Sequence, residues 1–260
     1  MQQRRLHEQQ AALTPCRLHR APVRRNIRMK PFFRLPLDFD PQRLSDDLRI
    51  CETLQWTPHF NTRDYSGEWS SIALRSASGS ASDIHSHPTE NAYRDTALLG
   101  ACRYFADVLG SFQCEKESVR LLRLAGGAHI KEHRDVQAGY QFGFFRVHIP
   151  IQTSDQVRFL VAGQALDMAA GECWYADFSQ THSVENCGNE SRVNLILDCK
   201  RNDWSDSLFA QAGYDFEQER RRMQFDRATR AKVIAELSGH KTEAAENLIR
   251  QLLAEAELDE

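Results

Sequence analysis

What most constrains this chain is a series of short alternating segments between residues 119 and 198. Apolar and polar residues exchange places over Val119–Ala125, His129–His133, Phe142–Ile151, Val157–Val161, Gln164–Met168, Glu172–Ala176, His182–Asn186 and Arg192–Asp198. A period of two sends successive side chains to opposite faces of a strand. Gly163, Gly171 and Gly188 punctuate the series. Short strands at this density predict a closed or sandwiched antiparallel sheet. Val161-Ala-Gly-Gln164 reads as a hairpin turn between two of them. One more strand is expected upstream, over Trp69–Arg75.

Helical patterns flank this β-rich stretch, so the expected class is mainly β with flanking helices. Residues from Met29 read as a strand leading into a helix over 41–55, where Asp40 is an N-cap, Pro41 opens the first turn, and Leu44, Leu48, Cys51 and Leu54 recur at helical spacing. A second helix is expected over 90–109, on the shared face of Ala97, Leu98, Ala101, Phe105 and Val108, with Gly110 as its stop. From Trp204 the composition turns helical again, in segments near 204–222, 226–237 and 241–257, the last two parted by Ser238-Gly239. Three parts follow: an extension at 1–28, a β-domain with leading helices at 29–200, and a helical segment at 201–260.

Charge and cysteine content narrow the function. The formal net charge is −3, which does not favour nucleic acid or a membrane surface as a partner. Seven scattered cysteines without a CxxC pair suit a reducing, cytoplasmic setting. No apolar run reaches the roughly 18 residues of a membrane span. The first 28 residues carry seven arginines against one acid, Glu8, and lack an apolar h-region. That composition reads either as a basic arm or organelle-type presequence, or as a disordered extension ahead of a true start at Met29.

The residues able to do chemistry lie within the β-rich stretch. In His133-Arg-Asp135 an extended backbone puts imidazole and carboxylate on one face, and His182 offers a third donor from a distant strand. Two histidines and one carboxylate on one side of an ion leave positions open for a chelating co-substrate and O2, as non-haem Fe(II) requires. The same HxD would also serve as a surface hydrogen-bonded pair. Ten residues after His182 comes Arg192, which alternates with Val193 and Leu195. Projected into a barrel it needs an anionic partner such as a carboxylate; on an edge strand it would be a solvated arginine. Arg146 and His148 share one face of their strand, either as a basic pair for carboxylates or with His148 as a satisfied core histidine.

The ordered tract HRD…FFRVHIPIQT…VRFLVAG…AGECWYADFSQTHSVENCGNESRVNLILD resembles the aspartyl/asparaginyl β-hydroxylase family, including its free-amino-acid branch of proline hydroxylases. The resemblance spans roughly residues 56–200. It implies a double-stranded β-helix (jelly-roll) oxygenase domain over 29–200, with Fe(II) held by His133, Asp135 and His182. It further implies 2-oxoglutarate and O2 as co-substrates, with Arg192 pairing the keto-acid tail and Arg146 and His148 nearby. The implied reaction is hydroxylation of an unactivated C–H bond in a free amino acid or small peptide of Asp, Asn or Pro type. Substrate anchors are expected among Arg75 and Arg146, with Trp174 or Tyr140 as wall residues; Arg75 reads equally as a solvated strand arginine and Trp174 as core. His85 and His87 follow a Ser/Gly-rich stretch and read as a mobile loop over the site, not as metal ligands.

Two further readings compete: a hydroxylase of protein side chains, and a cupin-like binding protein without turnover. Three open metal positions beside a keto-acid clamp have no use in a mere binder. Asp135 speaks against a halogenating variant, and zinc hydrolysis would leave Arg192 unexplained. The amphipathic C-terminal tail suggests a homodimer element.

Overall fold

The computed structural model describes residues 30–86, 92–223, 227–240 and 242–257; the arginine-rich extension at 1–28 lies outside them. The chain opens with strand β1 (Phe32–Asp38) and helix α1 (Pro41–Glu52), whose N-terminus is capped by Asp40 accepting from the backbone N–H groups of Gln42 and Arg43. Short strands β2 (Thr57–Pro58) and β3 (Tyr65–Ser66) precede the long β4 (Trp69–Ser76) and the short β5 (Arg94–Asp95).

The single helix expected over 90–109 is instead two, α2 (Ala97–Ala101) and α3 (Arg103–Gly110), while residues 90 and 91 lie outside the described chain. Tertiary contacts override the helical pattern here. Residues 94 and 95 pair with β4, and the Thr96 hydroxyl bonds the Ala73 and Leu74 carbonyls of that strand while capping α2. The backbone then leaves the helical region at Cys102 (φ −103°, ψ 81°), and the buried Asp47 carboxylate of α1 takes the Phe105 N–H at 2.8 Å. A carboxylate at a helix start satisfies an otherwise orphaned donor and complements the dipole.

The β-core runs through β6 (Lys116–Leu124), β7 (His129–His133), a 3-10 turn at Tyr140–Phe142, β8 (Phe144–Gln152), β9 (Val157–Val161), β10 (Gln164–Ala165), β11 (Glu172–Ala176), β12 (His182–Asn186) and β13 (Arg192–Lys200). The hairpin at 161–164 has both central residues at positive φ (Ala162 50°, Gly163 74°), the condition for a two-residue turn matched to strand twist. Helices α4 (Asp203–Gln211), α5 (Phe216–Met223), α6 (Arg227–Leu237) and α7 (Glu243–Glu257) follow. The segment expected as one helix over 204–222 is thus split; the break comes at Gly213, φ 84°.

All pairings are antiparallel and fall into two sheets. The larger has the order β1-β11-β8-β13-β6-β4-β2, with β5 beside β4; the smaller has the order β10-β9-β12-β7-β3. From β6 to β13 the chain passes back and forth between the sheets, with β6, β8, β11 and β13 in the larger and β7, β9, β10 and β12 in the smaller, which is the jelly-roll arrangement. One face of the large sheet carries Val119, Leu121, Phe145, Val147, Ile149, Leu195 and Leu197 into a core shared with Leu44, Leu48, Phe105 and Phe209. A second cluster, including Leu124, Ile130, Phe159, Val161, Phe178 and Val184, lies between the two sheets and fills only part of that space. Gly171 makes one crossing possible: at φ 83°, a Cβ there would stand 2.2 Å from the Phe39 carbonyl oxygen.

Candidate metal and keto-acid site

Alternation along β6, β8 and β13 sends a second set of side chains to the opposite face of the large sheet. Arg120, Arg146, His148 and Arg192 thereby line a cavity of about 650 Å³ between the sheets, together with His133, Asp135 and His182. His133 ends β7, and His182 opens β12 directly opposite it in register. Asp135 lies just beyond β7, where its N–H donates to the Phe178 carbonyl at 3.0 Å and fixes the turn.

One ligand atom from each of His133, Asp135 and His182 lies within 4.8 Å of the other two. His133 Nδ1 contacts the Lys131 carbonyl at 2.8 Å, and His182 Nδ1 the Gln180 carbonyl at 3.0 Å. A carbonyl can only accept, so each Nδ1 carries the proton and each Nε2 keeps its lone pair. Backbone carbonyls thus set both tautomers for metal ligation. Burial lowers the His182 pKa, which keeps that ring neutral. Asp135 Oδ1 stands 3.8 Å from His133 Nε2. Two imidazole nitrogens and one carboxylate oxygen, convergent and facing a cavity, fit a facial Fe(II) ligand set.

Arg192 is 3% exposed, and its Nη2 finds no hydrogen-bond partner among the described residues. Its guanidinium carbon lies 5.3 Å from the centroid of the Phe159 ring. Burial pushes its pKa down to about 10. A buried unpaired guanidinium is expensive to keep, and a carboxylate is the group that would satisfy it. Nearby, Asn194 Nδ2 lies 3.2 Å from His148 Nδ1 and can only donate to it, so the proton of a neutral His148 sits on Nε2. That Nε2 is likewise unpartnered among the described residues, and burial, followed by the Arg192 charge, holds His148 well below its ordinary pKa. Arg192 and His148 therefore present unused donors that fit the carboxylates of a keto acid.

Arg146 is placed differently from the expectation of a free carboxylate binder. Its Nε donates to Asp198 Oδ1 at 2.6 Å, Nη2 to Asp198 Oδ2 at 3.2 Å and Nη1 to Asp135 Oδ2 at 2.7 Å. Every guanidinium nitrogen is thus engaged by the protein's own carboxylates. Three other expected substrate contacts lie outside the cavity lining. Arg75 extends past the cavity to Asp95 and the Lys116 carbonyl. Tyr140 is carried to the helix side by its 3-10 turn, stacks on Phe209 and bonds Ser205 and Asp206. Trp174 packs near Phe32 and donates to Glu172. His85 meets the Phe60 ring and joins no metal-ligating group among the described residues; His87 lies outside them.

Arg120 and His59 line the cavity, and Asn194 and Asp198 bond its lining residues His148 and Arg146; the sequence assigns none of the four a role. Asn194 and Asp198 share the parity of Arg192 on β13, a signal already present in the alternation. Arg120 sits 5% exposed on β6, its Nη2 2.8 Å from Asp198 Oδ2 and its Nη1 3.0 Å from the Ile84 carbonyl. His59 stacks on Trp69 with ring centroids 3.5 Å apart; it falls within the tract that resembles the family, without an assigned role.

Comparison with known proteins places the chain in a family. Residues 42–202 match the aspartyl/asparaginyl β-hydroxylase family. L-proline cis-3-hydroxylase 1 from a Streptomyces species is 25% identical over 166 residues, which are 62% of this chain and 57% of that protein. The chain therefore spans less than two thirds of that relative's length. Among solved structures, an oxidoreductase of the 2OG-Fe(II) oxygenase family from Burkholderia pseudomallei is 16% identical with a TM-score of 0.46, covering 66% of this chain and 86% of that one. A Pseudomonas putida prolyl-4-hydroxylase is 11% identical with a TM-score of 0.40, covering 66% and 93%. These structural likenesses are weak, and the jelly roll is read here from the chain's own strand pairing. With the match covering residues 42–202, the chain belongs to the aspartyl/asparaginyl β-hydroxylase family.

Proposed function

We propose that this protein is an Fe(II)- and 2-oxoglutarate-dependent hydroxylase acting on an unactivated C–H bond of a free amino acid or small peptide. The observation that carries this reading is Arg192, a buried guanidinium with no anionic partner among the described residues, which opens into the same cavity as the His133, Asp135 and His182 donors. The chemistry supplied by metal and keto acid together is O2 reduction coupled to decarboxylation of 2-oxoglutarate, which leaves succinate, CO2 and a hydroxylated product. The chain's own tasks are more limited. His133, Asp135 and His182 hold the metal. Arg192 and His148 orient the co-substrate carboxylates, Arg192 through paired N–H donors and His148 through Nε2–H. Phe159 and Phe178 wall the cavity and exclude water around the reacting carbon.

The catalytic unit in this reading runs from about residue 29 through the β-core and includes α4, since Phe209 packs against the large sheet. Free thiols at Cys51 and Cys102, 3.7 Å apart, support a reducing, cytoplasmic setting. No helix of the described residues is long and apolar enough to cross a membrane. A second reading, hydroxylation of a side chain within a larger polypeptide, draws on the apolar rim of Phe60, Val136 and Phe142, all exposed and all lining the cavity.

The test is an incubation of protein loaded anaerobically with Fe(II), then given O2, 2-oxoglutarate and pools of free amino acids. Succinate release that one pool stimulates, with a product heavier by one oxygen atom, and lost in Asp135→Ala and Arg192→Ala, is the expected result. Succinate without a hydroxylated amino acid would favour the polypeptide reading. No succinate from iron-loaded protein in any pool would overturn the proposal.

A further inference from the structure

Among the described residues, the least exposed charge is one that the metal and keto-acid reading does not use. Asp198 is fully buried, and four donors converge on it: Arg146 Nε on Oδ1 at 2.6 Å, and Arg146 Nη2, Arg120 Nη2 and Ser86 Oγ on Oδ2 at 3.2, 2.8 and 2.7 Å. The two guanidiniums hold its carboxyl below the ordinary range although burial alone would raise it. Arg146 in turn extends its remaining nitrogen to Asp135 Oδ2 at 2.7 Å. The Asp135 carboxylate is therefore divided: Oδ2 is held by Arg146, and Oδ1 faces His133 Nε2 at 3.8 Å.

We infer that Asp198 is a positioning residue for the metal centre: it holds Arg146 against Asp135 Oδ2, so that Asp135 offers a metal only Oδ1. This inference rests on the metal reading proposed above. Two physical effects act together. Geometrically, a guanidinium bridging two carboxylates through parallel N–H donors has little rotational freedom, and it passes that order on to Asp135. Electrostatically, Asp198 and Asp135 offset the charges of Arg120 and Arg146. Without Asp198, two guanidiniums would face one ligand carboxylate and repel an incoming dication. The same carboxylate also anchors the 84–86 segment at the cavity edge, through the Ser86 hydroxyl and through Arg120, which donates to the Ile84 carbonyl.

A double-mutant cycle on metal affinity tests this with a readout independent of turnover. Full-length protein is titrated anaerobically with Co(II), followed by its visible absorption, for wild type, Asp198→Asn, Arg146→Met and the double variant. Each single substitution is expected to weaken Co(II) binding by about 10- to 100-fold. If Asp198 acts mainly through Arg146, Asp198→Asn costs at least about threefold less in the Arg146→Met background than in wild type, the remainder being its offset of the Arg120 charge. Fully additive losses, or wild-type affinity in Asp198→Asn, would overturn the inference while leaving the metal site intact. A wild-type protein that binds no Co(II) would overturn the metal reading and the inference with it. Should Asp198→Asn fail to fold, Arg146→Lys keeps the charge but cannot bridge two carboxylates. It is expected to show the same loss, and wild-type affinity there would refute the inference.

Discussion

Strands β8 and β13 each present two faces to two different interiors. Toward the helices, Phe145, Val147, Ile149, Val193, Leu195 and Leu197 are apolar and essentially without solvent contact. Toward the small sheet, the same strands carry His148, Arg192, Asn194 and Asp198, all buried, and the half-buried Arg146. The first face stabilises the fold by removing apolar surface from water. The second works against stability unless its charges find partners. Some do, through the Asp198–Arg146–Asp135 chain. The Arg192 guanidinium does not at Nη2, and the neutral His148 likewise keeps Nε2 without a partner among the described residues. A folded protein tolerates such groups where function needs them, so the unpaired donors point to a ligand more strongly than the paired ones do.

This contrast can be broken most forcefully from the apolar side. Phe145→Ala should destabilise the fold by roughly 3–5 kcal/mol, measured by chemical denaturation. The molecules that remain folded should bind 2-oxoglutarate with nearly unchanged affinity. The complementary change is Arg192→Met. It should weaken 2-oxoglutarate binding by about 2 kcal/mol or more, some thirtyfold, in calorimetry on metal-loaded protein under anaerobic conditions. Stability in the absence of ligand should hold or rise, because an unpaired buried charge is replaced by an apolar side chain. Loss of stability without loss of affinity in Arg192→Met would reverse the roles assigned to the two faces.

A smaller effect sharpens the comparison through pH. Burial, followed by the Arg120 charge, lowers the His59 pKa from 6.5 to about 4. Its folded-state pKa is therefore below its unfolded value, and between those values the unfolded chain binds the extra proton. The contribution to stability is full above about 6.5 and is lost as pH falls toward 4. In metal-free protein His59→Phe, which keeps a ring on Trp69, should flatten the acid limb of the stability profile over that window. An unchanged slope would show that His59 titrates as it does in the unfolded chain. The smallest effect belongs to the exposed pair Arg43–Asp107, 3.1 Å apart on α1 and α3. Its removal should change stability by about 0.2–1 kcal/mol and leave ligand binding untouched.

Much of this architecture was readable from alternation alone. The period of two located β7, β9, β11 and β12 to the residue, because strands half-buried in a sandwich must alternate. It also placed Arg146 and His148 on one face and Arg192 on the face opposite Leu195. Parity does not specify partners. That Arg146 would be consumed by Asp198 and Asp135 depends on the register of β8 against β13, which pairs Arg146 with Asp198 across the strands and has no local signature. Tyr140 and Arg75 show the same limit near strand ends, where a 3-10 turn or the penultimate residue of a strand carries a side chain out of the cavity. The helix expected over 90–109 failed for a different reason. Its apolar spacing is continuous, but β4 takes residues 94 and 95 into a strand, and the backbone leaves the helical region at Cys102, where Asp47 caps the start of α3.

The most direct test of the central claim is optical. Anaerobic protein is given Fe(II) and then 2-oxoglutarate, and the visible charge-transfer absorption of an iron-chelated keto acid is recorded for wild type, Asp135→Ala and Arg192→Met. The band should appear in wild type. It should be lost in Asp135→Ala, and in Arg192→Met it should require at least some thirtyfold more 2-oxoglutarate. Iron-loaded wild type that shows no such band at saturating 2-oxoglutarate, or an Arg192→Met titration that overlays wild type, would contradict the account.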